Sequence, residues 1–152
     1  MVGHEKDTVK LLKDLIELDY DAIEAYRAAI DRLEDVSDKT QLRRFLEDHE
    51  RHVSDLTFLV RGMGAEAPVG GDIKRVLTKG KVVISGLLGD RAILLAMKSN
   101  EDDTNTAYER AAGRTDLPAN AREVIERNLS DERRHRAYLE GRLAKQQPVA
   151  HR

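Results

Sequence analysis

The sequence predicts an all-α protein: a four-helix bundle made of two antiparallel hairpins joined by a long crossover. Three observations lead there. Apolar residues recur at helical spacing in four separate stretches. The joints within the first pair and within the second pair are short, as antiparallel neighbours require. Between the pairs, from Gly64 to Gly89, about 25 residues intervene, more than a structureless loop ordinarily spans.

The first helix is expected over about Asp7–Val36, with Leu12, Leu15, Ile16, Ile23, Tyr26, Ile30 and Leu33 on one side. The turn Ser37-Asp38-Lys39-Thr40-Gln41 follows, with Asp38 as N-cap and Gln41 three residues on. The second helix, about Lys39–Met63, carries Leu42, Phe45, Leu56, Leu59 and Met63. It stops at Gly62-Met63-Gly64, with Pro68 beyond. Val82, Val83, Ile84 and Leu87 place a short helix in the crossover, roughly Asp72–Leu87. The third long helix, about Asp90–Ala112, aligns Leu94, Met97, Thr104, Tyr108 and Ala111 and ends at Gly113. Asn120 with Glu123 reads as the cap of a fourth, which runs to about Lys145 through Ile125, Leu129, Leu139 and Leu143.

Composition limits the classes of function. The 152 residues fit a single domain, 1–152, able to bury a core without staples. Hydrophobic residues make up 40%, charged residues 36% and aromatics 4%, a balance suited to long amphipathic helices. There is no apolar run long enough to span a bilayer and no basic and apolar leader at the start, so a cytoplasmic protein with no membrane partner is expected. The absence of cysteine removes disulfides, thiol chemistry and a fused rubredoxin-like iron centre. A net charge of −2 gives no general reason to expect nucleic acid. The basic groups Lys74, Arg75, Lys79, Lys81 and Arg133, Arg134, Arg136 read as solvated surface with no interleaved aromatics.

The inward seams are not purely apolar. They run Leu12, Leu15, Asp19, Ala22, Tyr26, Ala29, Leu33 on the first helix and Leu42, Phe45, His49, His52, Leu56, Leu59, Met63 on the second. The third runs Leu94, Met97, Glu101, Thr104, Tyr108, Ala111, and the fourth Ile125, Leu129, Glu132, His135, Leu139. Each helix thus carries one or two ionisable groups midway along its inner face, where an unpaired charge is costly. Residues three apart share a helix face, so Glu132 with His135, and His49 with His52, can approach one ion together. Asp19 and Glu101 close the cage.

The halves also repeat. Asp19 precedes Tyr26 by seven residues, and Glu101 precedes Tyr108 by seven. Asp48-His49-Glu50-Arg51-His52 matches Asp131-Glu132-Arg133-Arg134-His135. Tyr26 and Tyr108 fit core packing or hydrogen bonding to the site, and Asp48 and Asp131 are placed to orient a histidine across the bundle. Glu17, Glu24, Glu47 and Glu50 fall off the seam.

In these features, most specifically Asp131-Glu132-Arg133-Arg134-His135, the chain resembles the ferritin-like superfamily, which includes bacterioferritin, rubrerythrin and many small bacterial ferritin-like proteins. Such di-iron and di-manganese bundles take a Glu from each of two helices and Glu-x-x-His from each of the other two. The resemblance implies ligand roles for Asp19, Glu101, Glu132 and His135, and for His52 as the second histidine. It implies a di-iron site of two ions per chain, with manganese or zinc as alternatives, and reaction with a small oxidant, dioxygen or peroxide, as in ferroxidases. The competing readings are a redox-inert metal-binding or stress-associated bundle and a metal-free structural one. His49 departs from the pattern, standing where a bridging glutamate is usual, and Asp19 is one methylene short. Imidazole ordinarily serves one ion, so a weaker or asymmetric bridge, a single ion, zinc or an unequal pair enter consideration. Nothing after Lys145 reads as a fifth helix, so a homodimer rather than a storage shell is expected.

Overall fold

A computed structural model describes residues 2–70 and 84–146. The elements in chain order are α1 (Val2–Arg32), α2 (Val36–Gly62), a single 3₁₀ turn (Ile84–Gly86), α3 (Asp90–Ala112) and α4 (Ala119–Gln146). No strand occurs among the described residues, and none of their helices is long and apolar enough to cross a membrane. Of the crossover helix expected over about Asp72–Leu87, residues 72–83 lie outside the described residues, Lys74, Arg75, Lys79 and Lys81 among them. The part that follows forms only the 3₁₀ turn.

The direction of each helix follows from two apolar clusters, one at each end of the bundle. Leu12 and Ile16 from the start of α1 pack with Leu59 and Val60 from the end of α2, Ala111 from the end of α3 and Ile125 from the start of α4. At the other end, Leu33 of the α1–α2 turn meets Leu42, Ile93 and Leu139. Hence α1 and α2 are antiparallel, α3 and α4 are antiparallel, and α2 runs parallel to α3. The chain leaves α2 with Ala65 and Ala67 on the first cluster and returns with Ile84 on the second. Ala67 and Ile84 therefore lie at opposite ends of the bundle, as the two-hairpin arrangement with parallel α2 and α3 expected from the sequence requires.

Several helix boundaries differ from expectation, the earliest being the start of α1 at Val2 rather than about Asp7. The first helix ends at Arg32 rather than Val36, and the second begins at Val36 with Asp35 as its N-cap, accepting from the Asp38 N–H. Asp38 is diverted: it is fully buried and accepts from Tyr138 Oη at 2.5 Å and Arg142 Nε at 2.7 Å, both on α4. The turn itself is held from α3, where the Asp90 carboxylate accepts from the backbone N–H groups of Glu34 (2.9 Å) and Asp35 (3.0 Å). The fourth helix begins at Ala119, so Asn120 sits within its first turn. The Pro118 carbonyl accepts the first helical bond from the Arg122 N–H at 3.0 Å. The expected stops hold: α2 ends at Gly62, and Gly64 takes φ 81°, a conformation that favours glycine.

Candidate metal centre

Between the two apolar clusters the seams turn polar. Asp19 of α1, His49 and His52 of α2, Glu101 of α3, and Glu132 and His135 of α4 are all at most 1% exposed. Their donor atoms converge in two overlapping groups, each gathered within 4.8 Å. One group is Asp19, His49, His52 and Glu132; the other is His49, Glu101, Glu132 and His135. His49 and Glu132 are common to both.

His49 Nδ1 lies 2.7 Å from Asp19 Oδ1, and its Nε2 lies 3.4 Å from Glu101 Oε2. His52 Nδ1 lies 3.1 Å from Asp19 Oδ1 and 3.2 Å from Glu132 Oε2. His135 Nδ1 lies 3.3 Å from Glu101 Oε2 and 3.7 Å from Glu132 Oε1. The outer nitrogens of these last two rings face away from the cluster. His52 Nε2 meets Asp131 Oδ2 at 2.9 Å, and His135 Nε2 meets Asp48 Oδ2 at 2.8 Å. Each histidine is thus oriented by an aspartate from the opposite hairpin. This arrangement fixes which nitrogen turns inward.

The tyrosines show the same twofold pattern. Tyr26 Oη donates to Glu101 Oε2 at 2.5 Å, and Tyr108 Oη donates to Asp19 Oδ2 at 2.5 Å. Burial, and then the carboxylate each one faces, hold both phenols well above their usual range. They remain O–H donors at any working pH.

Without an ion the cluster is a network of imidazole and carboxylate groups. Burial alone pulls a histidine down, but the surrounding carboxylates outweigh it. His49 is raised to about 10, chiefly by Glu132, Asp19 and Glu101, and His52 to about 11, chiefly by Asp19 and Asp131. His135 rises to about 10 through Asp48, Glu101 and Glu132. Burial raises Asp19 and Glu101, and the histidines outweigh it and leave both low. Asp48 and Asp131 are lowered in the same way by His135, His52 and Arg134.

Several residues without an assigned role from sequence complete the site. Arg51 and Arg134 each bind both Asp48 and Asp131, and so tie the two outer aspartates into one charged brace. Arg133 and Arg134 are exposed, as the surface reading has it, and Arg133 and Arg136 also reach acidic partners, Glu109 at 3.5 Å and Asp102 at 3.6 Å. A signal was available, because Arg51 and Arg134 occupy the same place in the repeated Asp-x-x-Arg-His segment. Thr104 Oγ1 lies 3.0 Å from both Glu101 Oε1 and Glu132 Oε1. Asn105 Nδ2 donates to the backbone carbonyls of Glu101 (2.7 Å) and Glu132 (3.0 Å). Asn128 Nδ2 donates to Tyr108 Oη at 3.3 Å. Of the glutamates set off the seam, Glu24, Glu47 and Glu50 are exposed and Glu17 is partly buried.

The donor set suits a metal pair. It mixes imidazole nitrogen with carboxylate oxygen, as iron, manganese and zinc sites do. Glu132 Oε2 is buried and accepts no hydrogen bond, although His52 Nδ1 and His49 Nδ1 stand 3.2 and 3.5 Å away. Those two rings stand beside it as ion-pair neighbours, and a carboxylate oxygen with lone-pair capacity left can also take a cation there.

Comparison with solved structures gives the same fold. The bacterioferritin-related protein of Bacteroides fragilis, described as a dodecameric thioferritin, superimposes with a TM-score of 0.81 at 16% identity, over 93% of this chain and 86% of that one. A ferritin-like, diiron-carboxylate protein of Bacillus anthracis gives 0.74 at 18% identity, over 94% and 99%. A conserved hypothetical protein of Mycobacterium tuberculosis gives 0.77 at 15%, over 97% and 98%. No curated protein matches the sequence. The fold is therefore ferritin-like. At the sequence level, the family described as a domain of unknown function, DUF2383, matches residues 7–113, from α1 through the end of α3, and the chain belongs to that family.

Proposed function

We propose that this protein binds two metal ions, iron foremost, through Asp19, His49, His52, Glu101, Glu132 and His135, and reacts with a small oxidant such as dioxygen or peroxide. The observation that carries the reading is the pair of overlapping, fully buried donor groups with an open oxygen on Glu132. The diiron-carboxylate description of the Bacillus anthracis neighbour supports iron over manganese or zinc. Bound ferrous iron supplies the electrons that an oxidant takes up. The chain's part is to hold and orient. Asp48 and Asp131 aim His135 and His52, while Tyr26 and Tyr108 donate O–H bonds to Glu101 and Asp19. The apolar clusters at each end keep bulk water away. The setting proposed is cytoplasmic, where a reducing environment keeps iron ferrous, and the assembly proposed is a homodimer.

The test is metal content of protein purified without added metal, followed by ferrous titration under nitrogen and mixing with oxygen or peroxide. Two ions per chain and rapid oxidation support the reading. Ion uptake without oxidation favours a redox-inert metal-binding bundle. One observation favours a metal-free structural bundle: without an ion, three raised histidines already pair with the buried carboxylates. Absence of tight binding by any of iron, manganese and zinc selects it.

A further inference from the structure

His49 occupies the centre of the cluster, and its two nitrogens face opposite halves. Nδ1 is turned to Asp19 at 2.7 Å and to Glu132 Oε2 at 3.5 Å, while Nε2 is turned to Glu101 at 3.4 Å. Its ring centroid is 5.3 Å from that of His52 and 5.1 Å from that of His135, so it is nearly equidistant from the two. His52 and His135 each commit one nitrogen to an outer aspartate. His49 differs in having both nitrogens aimed at carboxylates of the cluster, and in belonging to both donor groups. Glu132 divides its oxygens in the same sense, Oε2 toward His52 and Oε1 toward His135.

We propose that His49 bridges the two ions as an imidazolate, Nδ1 binding the ion held by Asp19, His52 and Glu132, and Nε2 the ion held by Glu101, His135 and Glu132. This rests on the two-ion reading above. It revises the expectation that imidazole at this position serves one ion, because the two ring nitrogens face carboxylates of different donor groups and His49 belongs to both.

Charge supplies the second argument. Two divalent ions bring four positive charges into a site whose residues are at most 1% exposed. Asp19, Glu101 and Glu132 offset three. A neutral His49 leaves one charge uncompensated in a buried site, which is costly; an imidazolate removes it. The ring then releases both N–H protons to solvent as the two metal–nitrogen bonds form, and nothing is oxidised or reduced. A single divalent ion beside a protonated His49 balances the same three carboxylates, so stoichiometry decides between the two.

Spacing separates the bridge from an ordinary carboxylate-bridged pair. Metal–nitrogen bonds of about 2 Å on either side of the ring set the ions roughly 6 Å apart, against about 3.5–4 Å in the usual two-metal site. The full-length protein is titrated with cupric ion and followed by X-ray absorption and electron paramagnetic resonance. The expected result is two ions per chain, a separation near the larger value, and loss of the isolated cupric signal through exchange across the ring. In His49→Ala the coupling disappears. Added imidazole restores it, whereas 1-methylimidazole, with one donor nitrogen, does not. Two ions at the shorter spacing, two uncoupled ions or one ion per chain would each overturn the bridge while leaving metal binding intact. No tightly bound ion overturns both readings. If His49→Ala does not fold, the spacing and coupling in the parent protein decide alone.

Discussion

Removing the Asp131 carboxylate tests whether the charged brace outside the cluster governs the ions inside it. Asp131 Oδ2 accepts from His52 Nε2 at 2.9 Å, and that bond keeps His52 Nδ1 turned toward Asp19 and Glu132, at 3.1 and 3.2 Å. In Asp131→Ala the ring loses its orienting partner and the basicity that partner confers. Loss of such an outer hydrogen bond weakens metal affinity by about 10–100-fold, or about 1.4–2.7 kcal/mol at about 1.36 kcal/mol per decade. The arginines freed by the change add little to the cost, since Arg51 and Arg134 side chains are 47% and 52% exposed and can return to water. The twofold pattern extends the prediction to Asp48→Ala, which acts on His135 in the same way. Each variant should weaken one ion of the pair and spare the other. Competition against a chromophoric chelator, with zinc and with ferrous ion under nitrogen, measures both affinities, and circular dichroism confirms the helices. If both variants fold and bind both ions within about twofold of the parent, the orienting role is refuted.

Two further predictions use stability. Because His49, His52 and His135 stand at about 10, 11 and 10 in the folded ion-free protein, against 6.5 ordinarily, their contribution is complete below pH 6.5 and is lost as pH rises through 10–11. The ion-free protein should therefore melt at a lower temperature at pH 9.5 than at pH 6.5; an unchanged or higher melting temperature would contradict the assignment. Asp90→Ala removes two bonds from its carboxylate to the backbone of the α1–α2 turn and should cost about 1–2 kcal/mol in denaturant unfolding, with metal stoichiometry unchanged. A loss below about 0.3 kcal/mol would mean that α3 does not pin the turn.

The fold was legible because spacing and loop length are local properties. Leu12, Leu15, Asp19, Ala22 and Tyr26 declare one helix face, and the long interval from Gly64 to Gly89 leaves room for a crossover. The six inward donors followed from the same periodicity, since each interrupts an apolar seam that otherwise continues. What escaped depends on distant partners. Asp38 looks like an N-cap until Tyr138 and Arg142, a hundred residues on, claim its carboxylate. Arg134 reads as solvated surface and is exposed, but its pairing with Asp48 depends on another helix. Thr104 was visible on its seam, but only the approach of α4 gives its hydroxyl a second carboxylate. The orientation of His49 was beyond sequence, because the three carboxylates it faces, Asp19, Glu101 and Glu132, come from other helices.

The repeat that exposed the site is a repeat of scaffold more than of surroundings. Asp19 and Glu101 correspond, as do Tyr26 and Tyr108, and the phenol of each half reaches the carboxylate of the other at the same 2.5 Å. The positions between them diverge. Thr104 and Asn105 lie three and four residues after Glu101, where the first half has Ala22 and Ile23 after Asp19. Glu101 and Glu132 therefore share a hydroxyl within 3.0 Å, a contact that Ala22 cannot offer Asp19. On the other side, the Phe45 ring stacks against His135 with centroids 4.2 Å apart. The corresponding Asn128 instead donates to Tyr108. His135 thus has Phe45 stacked on it and Glu101 has Thr104 beside it, whereas His52 meets the Tyr108 ring edge-on at a centroid distance of 5.9 Å and Asp19 has Ala22 in the place of Thr104. Low dielectric and fixed dipoles each change how strongly a carboxylate holds a cation. The two donor groups are accordingly unequal in environment even where their donor atoms correspond, and His49, which belongs to both and turns one nitrogen to each side, lies where that inequality is felt most.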